Sequence, residues 1–176
     1  MRKISETADY RVLITFFIEN ELEFEEGEEY GDDEIVKCWR ADAYGEDCGA
    51  AAGHEENCGV AAGSDGAISH ETEDVGRLAG ACILAMREGE YICDGIAVAQ
   101  GLRKTGLGRE LLGLLLKEAA GRGADRIFLV ARAPGFFAKA GFVPISRADA
   151  PEFFECFTCP QYGKTCHPEV MRLDLA

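Results

Sequence analysis

Residues 102–111, LRKTGLGREL, place Gly106 and Gly108 after the basic pair Arg103 and Lys104 and at the head of a leucine-rich run. A helix starting there leaves about four backbone N–H groups unpaired, and its macrodipole adds partial positive charge. Glycines let the backbone wrap closely around an anion, so a phosphate or pyrophosphate is the natural guest. Arg103, Lys104 and Arg109 supply further charge. The plain alternative is a helix start with basic neighbours and no ligand. The Walker pattern G-x-x-x-x-G-K-[ST] is absent, and Leu111 stands where a dinucleotide fingerprint needs its third small residue. What remains is R-x-x-G-x-G, formed by Arg103, Gly106 and Gly108.

Two further groups could do chemistry. Asp94 interrupts the apolar run YICDGIAVA. A carboxylate there must be solvated in a cleft, as a general base would be, or form a salt bridge or hydrogen bond to a neighbouring loop, because unpaired burial is costly. Tyr91 and Cys93 fall on the other face by alternation unless a bulge shifts them, and Glu90 stands at the strand's rim. Near the C-terminus, ECFTCPQYGKTCHPE gives Cys156 and Cys159 the C-x2-C spacing of half a zinc site, which Cys166 or His167 could complete. There is no second C-x2-C, so a structural zinc, reducible thiols or a disulfide, and plain packing all stay open. His54, Cys58 and His70 show no fixed ligand spacing.

The elements that must position these residues follow from periodicity. Residues 10–24 carry apolar side chains near helical spacing, with strand as the alternative, and 35–43 alternate as a strand. Residues 77–88 and 90–100 read as two strands joined tightly around Gly89, an antiparallel hairpin. A helix is expected from about Gly106 to Ala120, then a strand at 126–131. A helix over 134–141, a strand from Phe142 and a closing strand at 169–175 complete the series. Strands on both sides of crossover helices indicate a mixed α/β sheet. Residues 44–76, rich in Gly, Ala and acid with no apolar period, read as a long mobile loop insertion, and 150–168 as a cysteine-containing excursion.

The 176-residue length suits a single domain spanning residues 1–176. No run of about 18 apolar residues exists, and the N-terminal residues lack the apolar core of a signal peptide, so a soluble, cytoplasmic protein without membrane contact is expected. Cys82 and Cys93 lie in apolar strand runs, where cysteine behaves as a small buried hydrophobe. The net charge of −14 is uneven: residues 1–75 hold 21 acidic and 5 basic side chains, whereas 76–176 hold 11 and 13. Such a field repels nucleic acid. It leaves room for a small anion held by the second half.

With these residues in view, the chain resembles the GNAT superfamily of acetyl-CoA-dependent N-acetyltransferases. IAVAQGLRKTGLGRELL resembles the family's strand, pyrophosphate loop and helix. APGFFAKAGF (133–142) resembles its second signature, a short helix ending in Gly-Phe before a strand. The resemblance covers residues 77–145 well, the N-terminal helix and closing strand loosely, and 44–76 not at all. It implies an α/β GNAT fold, a mixed, mostly antiparallel sheet with splayed central strands flanked by helices. It also implies acetyl-CoA as cosubstrate. The backbone of Ile96, Ala97 and Val98 would pair with the pantetheine. The amides of Thr105, Gly106, Leu107, Gly108 and Arg109 would bind the pyrophosphate, with Arg103 and Lys104 around it. Phe136, Phe137 and Lys139 would flank the other side of the arm.

The implied reaction is attack of a neutral amine on the acetyl thioester, with the N–H of Ala97 or Val98 facing the developing oxyanion. The family's usual thiolate acid is a tyrosine, but its position here is Phe137, which has no hydroxyl. RAPGFFAKAGF is closer to the acetyltransferase domain of N-acetylglutamate synthases, which tilts the acceptor towards a small, amino-acid-like amine. Proton transfer then falls to Asp94, Glu90, Tyr91 or water. A peptide α-amine is already about a tenth neutral at pH 7, against about one part in a few thousand for a lysine, so a chain with no obvious strong base suits an α-amine better. The competing functions are a non-catalytic CoA-binding sensor and a metal- or redox-responsive interaction protein built on the C-terminal cysteines. A small-molecule amine is the expected partner, and self-association into a homodimer is left open.

Overall fold

A computed structural model describes residues 1–22, 24, 34–45, 47–48, 76–152, 154, 163–164 and 167–175. Its strands are β1 (Arg2–Thr7), β2 (Ile35–Ala43), β3 (Arg77–Arg87), β4 (Glu90–Val98), β5 (Arg126–Ala131), β6 (Val143–Pro144) and β7 (Glu169–Asp174). The helices are α1 (Tyr10–Glu19), α2 (Leu107–Gly121) and α3 (Pro134–Ala138). The sheet has seven strands in the order β1-β2-β3-β4-β5-β7-β6. It is mixed: β1 and β2 pair antiparallel, β4 and β5 parallel, and β5–β7 and β6–β7 antiparallel. This is the α/β architecture the sequence implies.

Residue packing divides the chain into two compact units. The first holds β1, α1, β2 from Cys38, β3 through Cys82 and the chain from Ile96 to Leu112. Helix α1 is capped by Asp9, whose Oδ1 accepts from the Val12 amide, and it buries Leu13, Ile14, Phe16 and Phe17. That spacing is the helical choice among the two readings of 10–24. Leu107, Leu111 and Leu112 of α2 are buried in the same unit, as are Ala79, Ala81 and Cys82 of β3. Gly80 explains how close helix and strand come. A Cβ there would lie 3.0 Å from Leu111 Cδ1, 3.2 Å from Leu107 Cδ2 and 3.3 Å from Ala97 O.

The second unit holds Lys37, β3 from Ile83, β4 through Gly95, α2 from Gly113 and the described residues after it. Ile83, Leu84, Ile92, Leu115, Ile127, Leu129 and Met171 are fully buried in it. Lys37 and Arg122 both grip Glu118, at 3.0 and 2.8 Å, and hold its carboxyl below the usual carboxylate range. Phe137, 7% exposed, packs edge-on against Phe136 and Phe142, and the amide of Phe142 donates back to Phe137 O. Helix α3 ends at Ala138 rather than 141, because the chain turns at Gly141, where φ is +97°.

One strand has no counterpart in the sequence reading. β1 pairs along its whole length with β2, from Arg2↔Ala43 to Thr7↔Cys38, although Ile4 is its single large apolar residue. No described helix is long and apolar enough to cross a membrane. Cys38, Cys48, Cys82 and Cys93 are buried. The predicted insertion at 44–76 falls mostly outside the described residues, as do Cys156, Cys159 and Cys166. No cluster suited to a metal ion occurs among the described residues.

Candidate active site

Strand β4 carries most of the candidate residues, and its surroundings decide what they can do. Glu88 and Gly89, at φ +52° and +82°, form the two-residue turn of the β3–β4 hairpin. Such a turn sets Arg87 opposite Glu90, which would bring Val98 opposite Ala79. Instead the amide of Ala99 donates to Ala79 O at 2.9 Å. β4 therefore contains one extra residue between Glu90 and Ala99, a β-bulge of the kind that re-aims a strand beside a functional site.

Ala99, just past the end of β4, turns its N–H towards β3. The Val98 carbonyl accepts from Arg103 Nε at 3.2 Å.

On its other edge β4 pairs with β5 only at Tyr91↔Ile127 and Ile92↔Phe128. β5 then keeps its pairing with β7 through Ala131. The described pairing of β4 with β5 is thus confined to the start of β4.

Gln100–Leu102 form a single 3-10 turn, and Lys104 and Gly106 then take positive φ, +67° and +97°. The amides of Arg109 and Glu110 are already spent on Gly106 O, at 2.9 and 3.1 Å. Those of Lys104, Thr105, Gly106, Leu107 and Gly108 donate no hydrogen bond to any described residue. Five open amides at the start of a 15-residue helix, beside Arg103 and Lys104, make a strong anion cradle. Arg109 can contribute through its side chain only. Thr105 Oγ1 donates to Leu102 O and accepts from Arg2 Nη1, both at 2.7 Å.

This chain belongs to the acetyltransferase (GNAT) family. The family model matches residues 20–142, which contain both the glycine turn and the Phe-rich short helix. GNAT structures reproduce the fold. One is the ribosomal-protein-S18-alanine N-acetyltransferase from Escherichia coli, at 17% identity and TM-score 0.59, with all of this chain and 95% of that one aligned. A second is N-acetylglutamate synthase from Neisseria gonorrhoeae complexed with coenzyme A and N-acetyl-glutamate, at 17% and 0.60, of which this chain spans only 35%. A third is a GNAT family acetyltransferase from Elizabethkingia anophelis with acetyl-CoA bound, at 14% and 0.61, with 99% and 98% aligned. Likeness at such identities establishes the fold. No curated protein matches the sequence.

The acid–base candidates of this GNAT acetyltransferase are all engaged or buried to some degree. The Asp94 side chain is 9% exposed and pairs at 3.2 Å with Arg87, which stands on β3 and not on the neighbouring loop expected. Glu90 is gripped by Arg126 through both Nε and Nη2. Tyr91 stands partly exposed in the last stretch where β4 and β5 are joined. The Cys93 thiol is pushed far up by burial and then by the charge of Asp94, which leaves it inert. Two contributors were invisible in sequence. Arg2 reaches the turn from 103 residues away, and Arg87 meets Asp94 through the hairpin.

Proposed function

We propose that this enzyme transfers acetyl from acetyl-CoA to the amine of a small, amino-acid-like acceptor, acting as one acetyltransferase domain. The observation that carries the cosubstrate assignment is the row of five amides from Lys104 to Gly108 that donate to no described residue. The backbone of Ile96, Ala97 and Val98 pairs with the pantetheine, and Arg103, Lys104 and the Arg109 side chain add charge for the pyrophosphate.

The neutral amine nitrogen attacks the thioester carbonyl, and the tetrahedral oxyanion is met by the N–H of Ala97 or Val98. Collapse expels the CoA thiolate, and the nitrogen loses its proton to Asp94 through water. Phe137 lacks a hydroxyl and Glu90 is held as a carboxylate by Arg126, so the proton returned to sulfur comes from water. The preference for a small amino acid rests on the Phe137 variant and on the modest demand for a base. Acceptance of a free α-amine needs less deprotonation than that of a lysine side chain.

Two measurements test the assignment. Gly108→Glu sets a side chain and a negative charge against the pyrophosphate and should weaken CoA binding at least tenfold, about 1.4 kcal/mol, by calorimetry. Unchanged affinity in a folded variant defeats the cosubstrate site. Thiol release from acetyl-CoA across amino acids, polyamines and peptides should be fastest with an amino acid. A flat response across that panel defeats the acceptor class.

A further inference from the structure

Arg2 is one of five basic residues in the acidic half, and its charge also acts on Asp47. Residues 1–75 carry 21 acidic side chains against Arg2, Lys3, Arg11, Lys37 and Arg40. Lys37 is spent on Glu118 and Arg40 on Asp42. The described hydrogen bond of Arg2 instead goes to a neutral hydroxyl, Thr105 Oγ1, inside the glycine turn. That hydroxyl gives its own proton to Leu102 O, so its lone pair is what the guanidinium holds. The contact is fixed at its other end by the β1–β2 ladder, which begins at Arg2↔Ala43. One of five guanidinium N–H groups is used, and the rest remain beside amides that also have no described acceptor.

A guanidinium held at an anion cradle, in a segment otherwise crowded with carboxylates, has a use there that a purely structural contact does not need. We propose that Arg2 is a ligand of the cosubstrate's phosphates, supplied by β1 to the turn between β4 and α2. Thr105 is its positioning residue: the threonine hydroxyl aims the fork, and the remaining N–H groups meet phosphate oxygen in charge-assisted hydrogen bonds. The assignment rests on the cosubstrate reading of the turn.

The test compares CoA with pantetheine, which lacks every phosphate, by calorimetry and by ligand-observed NMR. The proteins are wild type, Arg2→Met, Arg2→Lys and Arg2→Gln, each checked for folding by circular dichroism. Arg2→Met should bind CoA about tenfold more weakly with pantetheine binding unchanged, and Arg2→Lys should fall between. If Arg2→Met does not fold, Arg2→Gln carries the same expectation. Wild type that binds CoA together with a folded Arg2→Met or Arg2→Gln that binds it equally well overturns the role of Arg2 alone. Equal loss of CoA and pantetheine makes Arg2 structural and overturns it too. Failure of wild type to bind CoA removes the cosubstrate reading and this assignment together.

Discussion

Asp94 presents two separable roles in one side chain. It lies on β4 two residues before the backbone that the pantetheine would use, and it is ion-paired with Arg87. Asp94→Asn keeps the size and removes the charge. If Asp94 takes the amine's proton, turnover at pH 7 should fall by about 10² to 10⁴ with CoA affinity kept. Raising the pH should restore part of that rate, because more of the amine is then neutral. If the carboxylate serves only Arg87, the variant should lose about 2–3 kcal/mol of stability and keep its rate in the folded fraction. A pH–rate profile and a melting curve on this one variant separate the two. The sequence alone offered both readings, because the partner comes from the neighbouring strand of the hairpin. Which face a long arginine takes there is not written in local spacing.

At the scale of elements, local pattern was readable where apolar residues marked a face. Strands β2 and β5 coincide with their expected spans, 35–43 and 126–131, and α2 differs from its expected limits by about one residue at either end. β1 was not readable, since RKISET is mostly polar and is held by its ladder to β2 rather than by burying a face. The early stop of α3 comes from the positive φ at Gly141, which overrides the propensity of the residues before it. Gly80 was also silent in sequence, where it reads as one small residue in a small-residue strand. Its place under Leu107 and Leu111 gives it a testable cost. Gly80→Val pushes branched carbons against two leucine side chains and the fixed Ala97 carbonyl. The variant should lose about 1–3 kcal/mol by denaturant melting, the usual penalty for overpacking. A stability within about 0.5 kcal/mol of wild type would mean that the α2 start yields freely, which is hard to reconcile with a rigid anion cradle on the same turn.

Over the whole chain, the family was legible because both of its signatures are local and continuous. The pyrophosphate turn needs only Arg103, Gly106 and Gly108 in order. What stayed hidden was what is assembled from distant segments: Arg2 on Thr105 and Arg87 on Asp94. The charge, by contrast, is a property of the full sequence and has a kinetic consequence. CoA is a polyanion, and it must approach a chain of net charge −14 to reach a local cluster of arginine and lysine. At about 10 mM salt the screening length is about 30 Å, so the approaching ligand feels the repulsion of the entire molecule. At about 150 mM it shrinks to about 8 Å, and only the basic turn acts at close range. The association rate constant for CoA, followed by stopped flow, should therefore rise between those two salt concentrations. Above physiological salt it should fall again, as the attraction of Arg103, Lys104 and Arg109 is screened in turn. A rate that declines steadily from the lowest salt would show that the basic turn dominates at every distance, with the acidic half too remote from the approach path to oppose it.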